Sequence, residues 1–339
     1  MATTFNFTVR AEDDQGAFAD RDFSMTVRNT SVDRYLITTA TDAYTSPDMV
    51  TWTKRIGQGG STAKYGGGKW LILMSGVNYR LSSDGINFTQ HSFPATMNTS
   101  TTIPTWLNDR WIFSTYSTSG ATMTVYQSFD GQNWDVLTSA GNMFQPYQYG
   151  IPSIHEGKIY ISAATGVTYG VVDIEEKTMT RLVGAYPTAS LGSSPVFTSP
   201  KKINDLWVVY GQGTNGGCFI YSTDMITWNA GPTTTNMKTS PRVMELKYNN
   251  GVIYTELFGA ATLCYMSFSK DAKSQQDQFV ASLGGNLAIN TIVTKGKMYM
   301  IYGSAKKSSS DLGATWVEAA ADFPSELSST TITGIAAIQ

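Results

Sequence analysis

The sequence predicts an all-β chain assembled from copies of one four-stranded antiparallel unit, and three observations predict it. Charged residues make up only 15% of the 339 positions and aromatics 12%, with Gly, Thr and Ser abundant, a balance that suits strands and turns. A strand-like apolar run recurs seven times, as DRYLITT (33–39), GKWLILM (68–74), DRWIFST (109–115), GKIYISA (157–163), DLWVVYG (205–211), GVIYTEL (251–257) and GKMYMIY (296–302). Five of these are followed by a Ser-x-Asp turn that ends on an aromatic: SPDMVTW (46–52), SSDGINF (82–88), SFDGQNW (128–134), STDMITW (222–228) and SSDLGATW (309–316). VVDIEEKTM (171–179) and SFSKDAKSQQ (267–276) read as decayed copies of the same turn.

With Asp48, Asp84, Asp130, Asp173, Asp224, Asp271 and Asp311 as markers, the spacings are 36, 46, 43, 51, 47 and 40 residues. Their mean of about 44 is the period of a four-stranded propeller blade. Six of the seven units open with an innermost strand: 61–66, TIPTWL (102–107), GIPSIH (150–155), SPVFTS (194–199), PRVMEL (241–246) and NTIVTK (290–295). The first unit has none, and TTITGIAAIQ (330–339) is a strand with no unit after it. Supplying the missing strand from the C-terminus closes the ring and removes its open edges. The expectation is a seven-bladed β-propeller over residues 31–339, closed by the C-terminal strand, with an N-terminal β-hairpin extension over 1–30.

A carboxylate at a tight hairpin accepts hydrogen bonds from turn N–H groups that have no ladder partner, and a serine two residues earlier adds another. Asp48, Asp84, Asp130, Asp224 and Asp311 are therefore expected to be structural. Trp52, Trp134, Trp228 and Trp316 are expected to pack against their own hairpin and the next blade. SSDLGATW resembles the Asp-box, or BNR, pattern S-x-D-x-G-x-T-W at every position, and the other copies look like shortened variants. That resemblance implies a turn between the third and fourth strands of a blade, on the face away from the ligand site.

Asp-box propellers include sialidases, whose resemblance would imply an arginine triad, a Tyr–Glu nucleophile, an Asp acid/base and an early F/Y-R-I-P stretch. The nearest strings here, TIPTW (102–106) and GIPSI (150–154), lack the arginine. Arg34, Arg80, Arg110 and Arg242 read as turn or strand-end residues. Glu245 and Glu256 lie inside apolar strands, where a carboxylate is costly, and are the acids to inspect for a glycosidase pair. His91 and His155 are the only histidines, so no His-rich metal site, and no cofactor, is expected. Cys218 and Cys264 read as small buried hydrophobes on opposite sheet faces.

A net charge of −2 without a Lys/Arg run argues against nucleic acid, and no stretch is long and apolar enough for a membrane span. The first residues, MATTFNFTVRAEDD, show no Sec-type leader. The long loops expected opposite the Asp turns are poor in charge and mix aromatics and Met with Thr, Asn, Gln and Ser. Phe144, Tyr147, Tyr149, Tyr116, Tyr186 and Met237 are the candidates there for stacking on sugar rings or a flat partner.

FNFTVRA and RDFSMTVRN, around an acidic loop, form a hairpin outside the repeat that resembles the last two strands of cadherin-like or Ig-like domains of phage and bacterial surface proteins. A lone two-stranded hairpin is marginal in water and needs a partner. The functional expectation is a non-enzymatic decoration protein of a bacteriophage virion, on tail, fibre or capsid. The hairpin would anchor it to other virion proteins, and one face would serve as a receptor-binding or carbohydrate-binding adhesin. It would be made in the host cytoplasm and displayed on the virion surface. The alternatives are a sialidase-like glycoside hydrolase and a purely structural virion subunit.

Overall fold

A computed structural model describes residues 2–28, 34–95, 102–119, 121–144, 146, 151–163, 167–186, 188–192, 195–233, 241–249, 252–259, 263–269, 271–273, 276–282, 287–294, 297–302, 304–311 and 315–338. The N-terminal hairpin pairs β1 (Ala2–Glu12) with β2 (Phe18–Arg28) over eleven rungs. Its turn is closed by Asp13, whose Oδ1 accepts the N–H groups of Gln15 at 3.0 Å and Ala17 at 2.9 Å.

The repeat begins at β3 (Tyr35–Thr38), followed by β4 (Ala43–Ser46) and β5 (Thr53–Arg55). The next sheet is β6 (Thr62–Gly66), β7 (Lys69–Leu73), β8 (Asn78–Ser82) and β9 (Thr89–Ser92). A third holds β10 (Thr105–Leu107), β11 (Arg110–Ser117), β12 (Thr122–Ser128) and β13 (Asp135–Ala140). The fourth holds β14 (Ser153–His155), β15 (Lys158–Ser162), β16 (Thr168–Asp173) and β17 (Thr178–Val183). These sheets are antiparallel meanders in chain order.

In the fifth sheet the inner strand is split into β18 (Val196–Phe197) and β19 (Lys201–Ile203), both paired to β20 (Leu206–Gly213), followed by β21 (Gly216–Ser222) and β22 (Asn229–Ala230). Pro200 stands in the break, where it has no N–H to give a ladder. Thr198 bridges the gap instead: its N–H donates to the Tyr210 carbonyl at 3.1 Å and its Oγ1 accepts the Tyr210 N–H at 3.0 Å.

The last two units are β23 (Pro241–Asn249), β24 (Val252–Gly259), β25 (Leu263–Ser269) and β26 (Gln276–Ser282), then β27 (Leu287–Thr294), β28 (Lys297–Tyr302), β29 (Ala305–Ser309) and β30 (Val317–Glu318). Here the expectation of seven separate blades is not reproduced. β24 pairs with β25 only at Ile253↔Ser269 and Tyr254↔Phe268, which leaves its later edge open. β27 takes that edge through Phe258↔Ala288 and Gly259↔Leu287, so both units join in one eight-stranded sheet and the described residues form six sheets beside the hairpin.

Ring closure follows the sequence expectation. β31 (Gly334–Ala337) pairs with β3 through Tyr35↔Ala337, Leu36↔Ala336, Ile37↔Ile335 and Thr38↔Gly334, and it lies between β27 and β6. Gly334 is required there by space: a Cβ would stand 2.6 Å from the Ala63 nitrogen and 2.8 Å from the Thr62 Cα.

Burial explains why the second strands read as unbroken apolar runs rather than alternating ones. Trp70 and Ile72 of β7 face the first sheet with Leu36 and Ala336, while Leu71 and Leu73 face the third with Trp111 and Phe113. On β20, Trp207 and Val209 pack toward the fourth sheet, and Val208 and Tyr210 toward Leu246 and Ile253. The core is thus a set of apolar layers between radially packed sheets, the arrangement of a β-propeller.

Candidate functional site

The Ser-x-Asp turns share one hydrogen-bond pattern. In SFDGQNW, Asp130 Oδ1 accepts the N–H groups of Gln132 and Asn133, each at 2.8 Å, and the Ser128 hydroxyl at 3.0 Å. Its Oδ2 accepts Asn133 Nδ2 at 2.7 Å, and Ser128 Oγ accepts the Gly131 N–H at 2.8 Å. Asp84 repeats this with Ile86, Asn87 and Ser82, Asp48 with Val50, Thr51 and Ser46, and Asp224 with Ile226, Thr227 and Ser222. Asp311 accepts Ser309 Oγ and Thr315 Oγ1, each at 2.6 Å, and the Thr315 N–H at 2.8 Å. Those bonds hold its carboxyl down at about 2. For Asp84 and Asp130 partial desolvation acts upward and is outweighed by the donors, so both lie well below the usual carboxylate range.

Two turns need correction. The sixth is better preserved than its sequence suggests, because the serine is Ser269: Asp271 Oδ1 accepts its hydroxyl at 3.3 Å and the Lys273 N–H at 2.9 Å. The fourth lacks the serine, yet Asp173 still accepts the Glu175 and Glu176 N–H groups at 3.1 Å each. The residue after the carboxylate takes a left-handed φ in five turns: Met49 at 67°, Gly85 at 73°, Gly131 at 73°, Met225 at 63° and Ala272 at 61°. Met49, Met225 and Ala272 are buried there, so burial offsets a conformation that favours glycine.

The aromatics pack on the preceding unit, not the next. Trp134 donates from Nε1 to the Tyr79 hydroxyl of β8 at 3.0 Å, and Tyr79 donates to the Gly131 carbonyl at 2.7 Å. Trp228 lies 6.1 Å from the Tyr169 ring of β16. Trp52 stacks on Phe323 at 6.0 Å and donates to the Asp322 carbonyl at 3.1 Å. Trp316 joins the cluster around Leu246, Ile253 and Met298.

Two of the long loops start against a neighbouring Asp turn. Phe93, at the start of 92–102, contacts Trp134 at 5.3 Å, and Ala185, at the start of 184–194, bridges Thr227 of the Asp224 turn. Among the ligand candidates, Tyr116 and Phe144 are half-buried in one cluster with Met123, Met143 and Ile161. Phe144 reaches over Gly170 of β16, where a Cβ would lie 3.6 Å from its ring. Tyr186 belongs to a different cluster and meets Phe197 edge-on at 5.3 Å. Tyr147, Tyr149 and Met237 lie outside the described residues.

The described arginines are held separately. Arg80 donates to the Gly59 carbonyl, and Arg34 is exposed. Arg110 binds Asp109 at 2.8 Å and Gln127 at 2.7 Å while lying over Phe129 at 4.7 Å. Glu245 and Glu256, in contrast, are brought together: they are direct partners in the β23–β24 register. His155 stands edge-on to Trp207 and His91 stacks on Tyr79. Cys218 is buried, and burial pushes its thiol up to about 12. Among the described residues no three His, Cys, Asp or Glu side chains gather as metal ligands.

Sequence reasoning missed a clasp over the closing seam. Tyr299 donates to Asp322 Oδ2 at 3.0 Å. Lys306, 1% exposed, donates from Nζ to the carbonyls of Ser304 and Leu327, each at 2.6 Å, and burial lowers its pKa. Nothing in KK (306–307) distinguishes a buried lysine from a solvated one.

Fold and site together define a β-propeller of antiparallel, mostly four-stranded blades. No protein-family model matches the chain, and no curated protein matches it. Among solved structures it is similar to a chain from a study of two prolyl endopeptidases, with TM-score 0.50, 9% identity, and coverage of 85% of this chain and 50% of that one. YCF48 from Cyanidioschyzon merolae matches with TM-score 0.49 and 14% identity, over 74% of this chain and 81% of that one. The AfRom2 CNH domain matches with TM-score 0.49 and 10% identity, over 88% and 91%. At such identities the likeness concerns the fold alone.

Proposed function

We propose that this chain is a non-enzymatic binding propeller of seven repeat units, the last two fused, carried on a phage virion and presenting its uncharged loops to a host surface or its glycans. The observation that carries the non-catalytic reading is the uniformity of the Asp turns: each described carboxylate is engaged by its own turn. The repeat is scaffold, and binding falls to segments the repeat does not share. The hairpin attaches the propeller to another chain. Its described side chains, residues 7–22 and 24, are all exposed, which suits an element that is completed by a partner.

A sialidase-like hydrolase is the second reading, favoured by the Glu245↔Glu256 register. Opposed residues of antiparallel strands have Cβ atoms about 4.5–5.5 Å apart, compatible with a retaining carboxylate pair. A glycan array run beside a reporter-glycoside assay separates the two. Saturable glycan binding without turnover is the expected result; turnover abolished by Glu256→Gln would replace the binding reading with the enzyme.

A further inference from the structure

The inner strands carry a second repeated device besides the Asp turn. In the third sheet Thr102, just before Ile103 and Pro104, clamps Ser114 of β11. Its N–H donates to the Ser114 carbonyl at 3.0 Å, and its Oγ1 accepts the Ser114 N–H at 2.8 Å and lies 3.3 Å from the Ser114 hydroxyl. In the fifth sheet Thr198, just before Ser199 and Pro200, holds Tyr210 through the same pair of backbone bonds. Ser61 and Thr333 act similarly in the second and first sheets, where their N–H groups donate to the Leu73 and Thr38 carbonyls at 2.8 Å each. The fourth sheet departs from this. The registers Thr105↔Ile112, Ser153↔Tyr160 and Lys201↔Val208 align TIPT (102–105), GIPS (150–153) and TSPK (198–201), and make Ser162 the counterpart of Ser114 and Tyr210. Gly150 thus stands in the sequence where the others have threonine; it lies outside the described residues, and a glycine has no hydroxyl to give.

Ser162 is 2% exposed and Ser199 5%, and these are the two serines whose buried hydroxyls have no hydrogen-bond partner among the described residues. Both belong to the interface between the fourth and fifth sheets. Ser162 is on the face of β15 that carries Tyr160, whose ring packs on Trp207 of the fifth sheet at 5.0 Å. Ser153 Oγ donates to the carbonyl of Pro200, next to Ser199, so the two inner strands touch there. Between the second and third sheets the counterparts of Ser162 and Ser199 are Leu73 and Ile103, which lie in one apolar cluster. Unpaired buried hydroxyls are costly, and packing does not account for two of them where a sister interface has Leu and Ile.

We propose that the interface between the fourth and fifth sheets binds an internal water molecule, held by the Ser162 and Ser199 hydroxyls and by the Ser162 N–H, in the place of the missing threonine hydroxyl. Three polar groups are the usual complement of a buried water. Water is the occupant rather than a larger ligand because the room is what one threonine side chain fills in the sister sheets. The site is independent of the adhesive reading and of the hairpin.

The test is a high-resolution crystal structure of the full chain, read together with melting curves of Ser162→Ala, Ser199→Ala and the double variant. A solvent peak about 2.6–3.0 Å from both Oγ atoms is expected. Each single alanine should lower Tm by about 1–2 °C, and the double variant should lose less than the sum, because both serines hold the same molecule. Without the water each alanine would remove an unpaired polar group, so an unchanged or raised Tm in either single variant would overturn the proposal. Strictly additive losses would also overturn it, as would a structure in which no peak joins the two hydroxyls.

Discussion

Replacing Asp130 by alanine tests what the carboxylate does in every turn. Its oxygens accept four donors: the N–H groups of Gln132 and Asn133 at 2.8 Å, Asn133 Nδ2 at 2.7 Å and Ser128 Oγ at 3.0 Å. A charge-assisted bond contributes about 1.5–3 kcal/mol when desolvated. Gln132 and Asn133 are exposed and water replaces much of what they lose, so about 2–3 kcal/mol for the whole set is the reasonable magnitude. Unfolding entropy of about 2.1 cal/mol/K per residue then converts this to a fall in Tm of about 3–4 °C at pH 7, measurable by calorimetry. The sign with pH follows from the depressed native pKa. The stabilisation is fully present above the unfolded value of about 4 and is lost as pH falls through the native pKa. The gap between wild type and Asp130→Ala should therefore narrow below about pH 4. A constant gap down to pH 2, or a melting point within 0.5 °C of wild type at about pH 7, would refute the assignment of the carboxylate to the turn.

At the left-handed position, Met225→Ala keeps the φ of 63° and loses the buried side chain, for about 2–4 kcal/mol, whereas Met225→Gly also relieves about 1 kcal/mol of strain. Glycine should therefore melt higher than alanine, the reverse of the usual order; equal melting points would show that burial alone matters. Glu256→Gln should raise stability by about 0.2–1 kcal/mol at pH 7, because like charges opposed in a ladder repel. A fall in the denaturant midpoint would place a favourable partner on Glu256. Gly334→Ala should cost about 3 kcal/mol or more and expose the seam to proteolysis, since its Cβ would meet backbone rather than a flexible side chain. Wild-type protease resistance would mean that the seam gives way cheaply.

Much of this architecture was legible because burial on both faces writes itself as a run of apolar residues. GKWLILM, DRWIFST and DLWVVYG each became a second strand, and TITGIAA became the closing strand. What escaped depended on contacts between units. The periodicity of GVIYTEL and NTIVTK does not say that β24 is open beyond Tyr254 and will accept β27. Tyr116, Phe144 and Tyr186 have the composition of an adhesive loop, yet each finds a neighbouring blade to pack on, which a pattern within one loop cannot reveal. The sixth turn reads as decayed in sequence because Ser267 and Ser269 both precede Asp271, and only the hydrogen bond chooses between them.

The turn that repeats most faithfully is the part of the chain least able to confer specificity. Each carboxylate closes its own hairpin, and in the turns that end on a tryptophan or phenylalanine that ring packs on the unit before it, so a change in such a turn is felt as blade packing. Specificity has to come from departures from the repeat, and among the described residues these include the seam where β31, Asp322 and Lys306 fasten the ring, the joint where β24 meets β27, the split inner strand of the fifth sheet, and the hairpin. At the seam Lys306 is satisfied by the Ser304 and Leu327 carbonyls, and at the joint β24 and β27 share ladder pairs. On the hairpin, Phe7 and Val9 are about half exposed, and exposed apolar residues on an element outside the core mark a surface for a partner. A search for the partner therefore begins with Phe7 and Val9 before any carboxylate of the repeat.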